Sequence, residues 1–171
     1  MSALFQDLIR NQMEAAFRTL RHCIDSCPDE SWHQPVCNNS FAQSVFHALF
    51  FADVYLGQNP DVVSDQDFHR EHESSFAGYE EWEATPPTKK YDRDFIVAYL
   101  KHCRQRAKLV IDQFTAENLS QPSGFEWIKG TAAEVHVYNI RHIQHHAAQL
   151  SLRLRLDQGD GVPWVRSGWE S

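Results

Sequence analysis

Four stretches of the chain show the spacing of apolar residues that is typical of helices, and none shows the alternation of a half-buried strand. The spacing predicts helices over residues 4–24, 41–56, 92–114 and 131–156. Four helices in series favour an all-α fold, in which each helix buries one side against its neighbours in a bundle. The first helix is expected to be amphipathic, and its apolar positions include Leu4, Leu8, Phe17, Leu20 and Ile24.

Two of the predicted helices begin with a recognisable cap. Ser40 precedes the second helix, and Gln43 three residues later completes a capping-box pattern. Thr131 and Glu134 form the same pattern at the start of the fourth helix. Residues 41–56 contain only four clearly polar side chains, so this helix has no continuous water-facing side. We therefore expect other parts of the chain to cover it on most sides.

The connection between the second and third helices, residues 58–91, is long, charged and rich in aromatic residues. The Pro86-Pro87 pair disfavours one continuous helix there. Connections of this length are uncommon in compact domains and are usually a functional lid or a disordered strip, and the sequence leaves both open. Within it, His69 and His72 lie in a charged patch that is expected to be solvated rather than to bind a metal.

Length and composition limit the classes of protein to consider. The chain has 171 residues, so we expect a single domain over residues 1–171, with the bundle at about 4–156 and an irregular tail at 157–171. A net charge of −7 argues against nucleic-acid binding. There is no apolar run of membrane-spanning length and no signal-peptide pattern at the N-terminus, which favours a cytoplasmic protein without a membrane partner.

The four cysteines indicate neither a redox motif nor a zinc ribbon. No two of them form a CxxC pair, and reduced thiols are therefore expected. Cys23 and Cys27 are one helical turn apart and could form a thiol site. Small buried thiols are common in protein cores, however, and the sequence favours that interpretation.

The fourth predicted helix carries the most informative chemistry. His142 and His146 are one turn apart, so their Cβ atoms lie about 5–6 Å from each other and both imidazoles can reach one ion. His145 falls on the opposite side, where we expect it to face water. A chain with 10 histidines produces such a pair by chance as well, so this spacing alone leaves both interpretations open.

His47 is the candidate for a third ligand. It lies in the middle of the nearly apolar second helix, where an imidazole without a partner would be costly to bury. A buried histidine whose hydrogen bonds are met by ordinary neighbours is the alternative, and spacing does not decide between the two.

Taken together, these features resemble the DinB-like superfamily of bacterial metal-binding four-helix bundles. The shared features are one mid-helix histidine in the second helix, a long connection before the third, and a late H-x-x-x-H followed by a small residue and Gln. The family's usual ending H-x-G-Q corresponds to His146-Ala147-Ala148-Gln149, with Ala148 in place of Gly. Ser31-Trp32-His33 also resembles the family's approach to the second helix, and the resemblance extends to about residue 156.

The resemblance implies a DinB/YfiT-like bundle of up-down-down-up order, in which His47, His142 and His146 hold one divalent metal ion. Zinc or nickel is the first expectation, and iron or copper would also suit imidazole ligands. Three histidines leave coordination positions open, as catalytic rather than structural metal sites do. Some relatives are thiol S-transferases, and others are isomerases or presumed hydrolases. Relatives often pair as homodimers, and the outward position of Leu152 fits such a contact.

The sequence therefore predicts a metal-dependent enzyme of the thiol S-transferase or hydrolase type, acting on a small molecule such as a low-molecular-weight thiol. The alternative is a non-catalytic bundle whose histidine site is structural or mediates partner binding. Three further residues are candidates for orienting a ligand ring, although each also fits an ordinary boundary position: Tyr138, Asn139 and Gln149.

Overall fold

The computed structural model describes residues 2–36, 39–57, 59, 65–77 and 88–168 of the chain. Cys37 and the Pro86-Pro87 pair lie outside the described residues. The described part is mostly helical, which confirms the predicted all-α class. Its elements are α1 (Ser2–Ser26), α2 (Asp29–Trp32), β1 (Pro35–Val36), β2 (Asn39–Ser40), α3 (Phe41–Val54), α4 (Asp67–Glu71), α5 (Glu73–Phe76), α6 (Arg93–Asp112), α7 (Ala116–Ser120) and α8 (Ala132–Gln158).

The four predicted helices correspond to α1, α3, α6 and α8, and each end lies within about two residues of the prediction. Both capping boxes are present. The side chains of Ser40 and Thr131 each accept a hydrogen bond from the backbone N–H three residues later, and the side chain of that later residue, Gln43 or Glu134, accepts one from the backbone N–H of the cap residue. The strands β1 and β2 form a short antiparallel pair that the sequence pattern did not predict. Two residues are too few to show an alternation.

The four long helices pack in a ring, in which α1 and α3 each contact both α6 and α8. Of the apolar positions named for the first helix, Phe17, Leu20 and Ile24 are fully buried, whereas Leu4 and Leu8 are 75% and 51% exposed. The buried stripe of α1 begins at Ile9 and continues through Met13. Toward the N-terminus, Phe5 packs against the core, whereas Leu4 and Leu8 lie outside the stripe.

Helix α3 is covered on nearly every side, as its lack of a water-facing side predicted. Besides α6 and α8, aromatic side chains from the connection before α6 pack on it. The ring of Phe46 stacks on Tyr91 with centroids 4.0 Å apart, and lies 5.7 Å from the ring of Phe76 in α5. The long connection therefore supplies part of the cover that α3 requires.

The expectation that the charged patch in this connection is solvated was wrong for His69. Residues 65–77 form α4 and α5, and His69 is only 5% exposed. Its ring stacks on Phe76, with centroids 3.8 Å apart. The cause is a buried carboxylate on α3, Asp53, to which His69 is hydrogen-bonded, as described below.

Helix α8 continues to Gln158, two residues into the predicted tail, and ends at Gly159, whose φ of 89° is left-handed. Residues 160–168 have no regular structure, and the N–H of Gly168 donates to the carbonyl of Asn11 on α1. Among the described residues, no helix combines the length and the apolar character needed to cross a membrane.

Candidate metal centre

Three histidines from two helices meet inside the bundle. His47 lies at the middle of α3, and His142 and His146 lie on successive turns of α8, which packs directly against α3. The ring centroid of His47 is 5.4 Å from that of His142 and 4.7 Å from that of His146. The rings of His142 and His146 are 4.6 Å apart. Each ring offers a nitrogen, and the three nitrogens lie within 4.8 Å of one another.

All three imidazoles are neutral at pH 7 in this setting. His47 and His146 are each 7% exposed, and His142 is half-buried. Burial, together with the smaller effect of neighbouring histidines, lowers the pKa of His47 to about 2, of His142 to about 3 and of His146 to about 4. A neutral imidazole has a nitrogen lone pair to give to a metal, so no proton has to leave before ligation.

Gln149 fixes the orientation of one of these rings. Nδ1 of His146 is 3.0 Å from Oε1 of Gln149, and the amide oxygen can only accept, so Nδ1 carries the proton. Nε2 of His146 is then the nitrogen with the lone pair. The amide nitrogen of Gln149 donates in turn to Nε2 of His145, which is exposed as predicted. A polar side chain that holds the second nitrogen of a histidine is typical of metal sites.

Aromatic side chains surround His142 on the α3 side. The rings of Phe51 and Tyr55 each lie 5.7 Å from the ring of His142. Nδ1 of His142 is buried and has no hydrogen-bond partner among the described residues. A buried nitrogen without a partner is costly, and a group that binds it would remove that cost.

The other two candidates for orienting a ring lie differently. Asn139 is fully buried, and its amide nitrogen donates to the carbonyl of Ala52 on α3, at 2.8 Å. Tyr138 is 37% exposed and packs edge-on against Tyr55, with centroids 5.1 Å apart. Asn139 thus joins α8 to α3 one turn before His142, whereas Tyr138 extends the aromatic wall.

The residues present fit a divalent ion. A tetrahedral ion bound at about 2.0–2.1 Å to each imidazole holds the nitrogens about 3.3–3.4 Å apart, and the three nitrogens here lie within 4.8 Å of one another. The three ligands come from two packed helices, which hold such a site more rigidly than loops do.

One of three comparisons with known proteins identifies the family of the chain. The family model of the DinB superfamily matches residues 12–150, which include all three histidines. The chain belongs to the DinB superfamily. No curated protein and no solved structure matches the chain.

This DinB chain contains a second group of metal-ligating side chains, built around Asp53. Ligand atoms of Asp53, His69 and His102 also lie within 4.8 Å of one another. Nε2 of His69 donates to Oδ2 of Asp53 at 2.7 Å, and the hydroxyl of Tyr99 donates to the same oxygen at 3.2 Å. Nη1 of Arg106 forms an ion pair with the other carboxylate oxygen.

The donors around Asp53 favour a structural interpretation of this second group. Burial alone raises the pKa of Asp53, but the hydrogen bond from His69 and the charge of Arg106 lower it, and the net pKa lies below the ordinary value. The carboxylate is therefore ionised and already neutralised by a guanidinium, which would repel a cation. Gln66 also donates to both carboxylate oxygens and accepts from His102, so the group ties residues 65–77 to α3 and α6.

Sequence reasoning missed this group, although one signal was available. Asp53 is a charged residue in a helix with almost no other polar side chains, and such a residue requires buried partners. Its partners lie 16 residues away, at His69, and 53 residues away, at Arg106. Spacing along the chain does not identify partners at those separations.

Cys23 and Cys27 of this DinB chain are packed as ordinary core residues, which is the interpretation that the sequence favoured. Cys23 and Cys27 are buried, and Sγ of Cys23 donates to the carbonyl of Ala147. Burial raises the pKa of Cys23 to about 12 and that of Cys27 to about 11. Neither thiol therefore forms the nucleophilic thiolate at neutral pH.

Proposed function

We propose that the protein is a divalent-metal-dependent enzyme that acts on a small molecule, with His47, His142 and His146 as the three protein ligands. The observation that carries this proposal is the convergence of three neutral imidazoles from α3 and α8 on one point, with their nitrogens within 4.8 Å of one another. Buried histidines that served only the core would be satisfied by ordinary neighbours, whereas Nδ1 of His142 has none among the described residues.

Three protein ligands support a catalytic rather than a structural role. Structural zinc sites are closed by four protein ligands, whereas catalytic sites keep a position for water or substrate. A bound divalent ion would supply Lewis acidity, lowering the pKa of a water for hydrolysis or of a substrate thiol for S-transfer. Zinc or nickel is the proposed ion, with iron or copper as alternatives, because imidazole nitrogens suit all four.

The chain's own residues prepare the site for such an ion. Gln149 holds His146 in the tautomer whose Nε2 lone pair is available. Phe51 and Tyr55 shield one side of His142 from water, which strengthens electrostatic interactions inside the site. We assign supporting roles to Gln149 through its hydrogen bond, to Asn139 through its bond between α8 and α3, and to Tyr138 as an extension of the aromatic wall.

The proposed reaction is either thiol S-transfer or hydrolysis. Because the pKa values of Cys23 and Cys27 are high, neither cysteine serves as the nucleophile. In an S-transfer the thiol must then come from the substrate, which agrees with a low-molecular-weight thiol as the reacting partner. In a hydrolysis the nucleophile would be water.

The proposal is tested by the metal content of the purified protein and two variants. We expect about one divalent ion per chain, His142→Ala to lose it, and His145→Ala, on the same helix but exposed, to retain it. The wild-type protein is then assayed with and without metal against thiol-transfer and hydrolytic substrate panels. Equal metal content in both variants would contradict the ligand set. A bound ion that raises the melting temperature without supporting either reaction would favour a structural role and contradict the proposed enzyme.

We also propose the up-down-down-up order for the four long helices. Gln6, at the start of α1, donates to the carbonyl of Ile111 at the end of α6, which supports opposite directions for these two helices. Gln158, at the end of α8, donates to the carbonyl of Ser26 at the end of α1, which supports the same direction for that pair. The bond from Asn139, early in α8, to a late carbonyl of α3 supports opposite directions there.

Several predictions about the whole protein remain proposals: a single domain over residues 1–171, a cytoplasmic location, a homodimer, and a lid formed by residues 58–91. The 56% exposure of Leu152 is compatible with a dimer contact on α8. The packing of residues 65–77 on α3 and α6 is compatible with a segment that covers the bundle.

A further inference from the structure

A cavity lies beside the candidate metal centre, bounded by the ends of α3 and α6, by α7 and by the start of α8. Its volume is about 570 Å³, which is in the range of small-molecule sites. None of the three clustered histidines lines it. It shares only the ring of Tyr55 with the metal centre, and that ring separates the cavity from His142.

The walls of this cavity are apolar on one side and polar on the other. Val110, Phe114 and Val135 provide apolar surface, and the side-chain amides that line it are those of Gln113, Asn118 and Gln121. Among the described lining residues, Arg106 alone has a formal charge at neutral pH, because burial lowers the pKa of His136 to about 4. The cavity therefore combines apolar surface with one edge of a guanidinium whose other edge is paired with Asp53.

Among the described residues, only one of the three guanidinium nitrogens of Arg106 has a hydrogen-bond partner. Nη1 pairs with the carboxylate of Asp53 and donates to the carbonyl of the same residue at 2.8 Å. Nε and Nη2 have no hydrogen-bond partner among the described residues. Nε and Nη2 form the side of a guanidinium that binds a carboxylate through two parallel hydrogen bonds. Gly57, which also lines the cavity, has no side chain to cover Nη2, since a Cβ there would lie 3.5 Å from it.

A second polar side chain in the cavity wall, that of His136, also has an unused hydrogen-bonding atom among the described residues. His136 is 7% exposed, and its ring packs on Phe114 with centroids 4.5 Å apart. Its Nδ1 has no hydrogen-bond partner among the described residues. Two polar side chains in one cavity, each with unused hydrogen-bonding capacity, are typical of a site that orients a ligand.

We propose that this cavity binds a small organic carboxylate, with the carboxylate on Nε and Nη2 of Arg106 and the apolar body against Val110, Phe114 and Val135. The site is independent of the metal centre. The two proposals can therefore fail separately.

The test uses phenylacetate and hexanoate as probes, with phenylacetamide and hexanamide as uncharged controls of the same shape, measured by isothermal titration calorimetry. We expect each carboxylate to bind with one site per chain and at least about tenfold more tightly than its amide, because a hydrogen bond between two charged groups is stronger than one to a neutral amide. Equal affinity for acid and amide, or no binding of either carboxylate at 10 mM, roughly the limit of weak specific binding, would overturn the proposal.

Binding measurements on variants test whether the carboxylate binds in this cavity. Arg106→Lys keeps a positive charge near Asp53 but loses the two-nitrogen edge, and Ala132→Phe fills the cavity while leaving Arg106 in place. Both should weaken phenylacetate binding at least about tenfold, as loss of a charge-assisted pair does. Lys108→Ala, an exposed cation on the same helix, and His142→Ala should bind as the wild type does. Circular dichroism identifies any variant that fails to fold, and a folded Ala132→Phe with wild-type affinity would contradict the site.

Discussion

At the scale of single residues, the metal centre depends on the protonation and orientation of three imidazoles. Burial keeps all three neutral at pH 7, and Gln149 decides which nitrogen of His146 carries the proton. His47, His142 and His146 could be identified from the sequence as candidates, because one helix turn separates two of them and the third lies in an apolar helix. The role of Gln149 could not be assigned, because a polar residue three positions after a histidine has many alternative partners.

Removing the hydrogen bond from Gln149 should weaken metal binding without abolishing it. In Gln149→Leu, His146 loses the acceptor for its Nδ1 proton, and its ring and tautomer are no longer fixed. Loss of such a contact lowers metal affinity by roughly 10–100-fold. The affinity is measured by competition with a chromophoric chelator. Gln144→Leu, a half-exposed position on the same helix, is the control and should bind metal as the wild type does; equal affinity of Gln149→Leu would show that the contact does not position the ligand.

His136 should make the stability of the protein depend on pH in the mildly acidic range. Burial lowers its pKa from 6.5 to about 4, so between these values the unfolded chain takes up a proton that the folded chain does not. Stability due to this group falls as pH drops from about 6.5 to 4, by about 1.4 kcal/mol per pH unit at most. His136→Leu removes this dependence, so its free energy of unfolding relative to wild type should rise by up to about 3 kcal/mol between pH 7 and pH 4.

Urea unfolding at a series of pH values measures this difference. The other buried histidines titrate in both proteins, so their contributions cancel in the comparison. His33→Gln, at an exposed position, is the control and should differ from wild type by a constant amount over the same range. A constant difference for His136→Leu would mean that this imidazole is not buried in its neutral form.

At the scale of elements, α3 is the helix around which the others are arranged. Its apolar sequence requires cover on all sides, and the cover comes from α6, α8 and the segment containing α4 and α5. It also contributes both His47 and Asp53, which lie in two different polar clusters. The helix and its burial could be predicted, because periodicity and caps are local properties. The packing of residues 65–77 could not, because it depends on the distant pair of Asp53 and His69.

Neutralising Asp53 should destabilise the fold far more than neutralising an exposed carboxylate. In Asp53→Asn, Arg106 keeps its charge in a mostly buried position without a carboxylate, which costs about 3–5 kcal/mol. Asp7→Asn removes an exposed partner of Arg10 and should cost less than about 1 kcal/mol. Chemical denaturation measures both values, and similar small losses would contradict a structural role for the Asp53 cluster.

The Asp53 cluster also makes the stability of the protein depend on pH, but through a carboxyl group rather than an imidazole. The pKa of Asp53 is lowered in the folded state, so its stabilising contribution is present above the unfolded value of about 3.9 and is lost as pH falls through the lower folded value. Wild type should therefore lose stability relative to Asp53→Asn only below about pH 4, where the unfolded carboxyl takes up its proton.

At the scale of the whole molecule, the family and the helical class could be predicted from the sequence, and both are confirmed. The resemblance relied on the order and spacing of the histidines, which can be read directly from the sequence. The cavity at Arg106 could not be predicted, because its walls come from four helices and the intervening loops. The two sites proposed above, for a metal and for a carboxylate, would lie on either side of Tyr55.

The central claim is that α3 and α8 together hold one divalent ion, and an anomalous-difference map from a crystal of the metal-loaded protein tests it most directly. We predict a single peak at about 2.0–2.2 Å from one nitrogen each of His47, His142 and His146, with the remaining positions filled by water or a small ligand. A peak elsewhere, or a His47 ring turned away from the ion that the other two histidines bind, would contradict it.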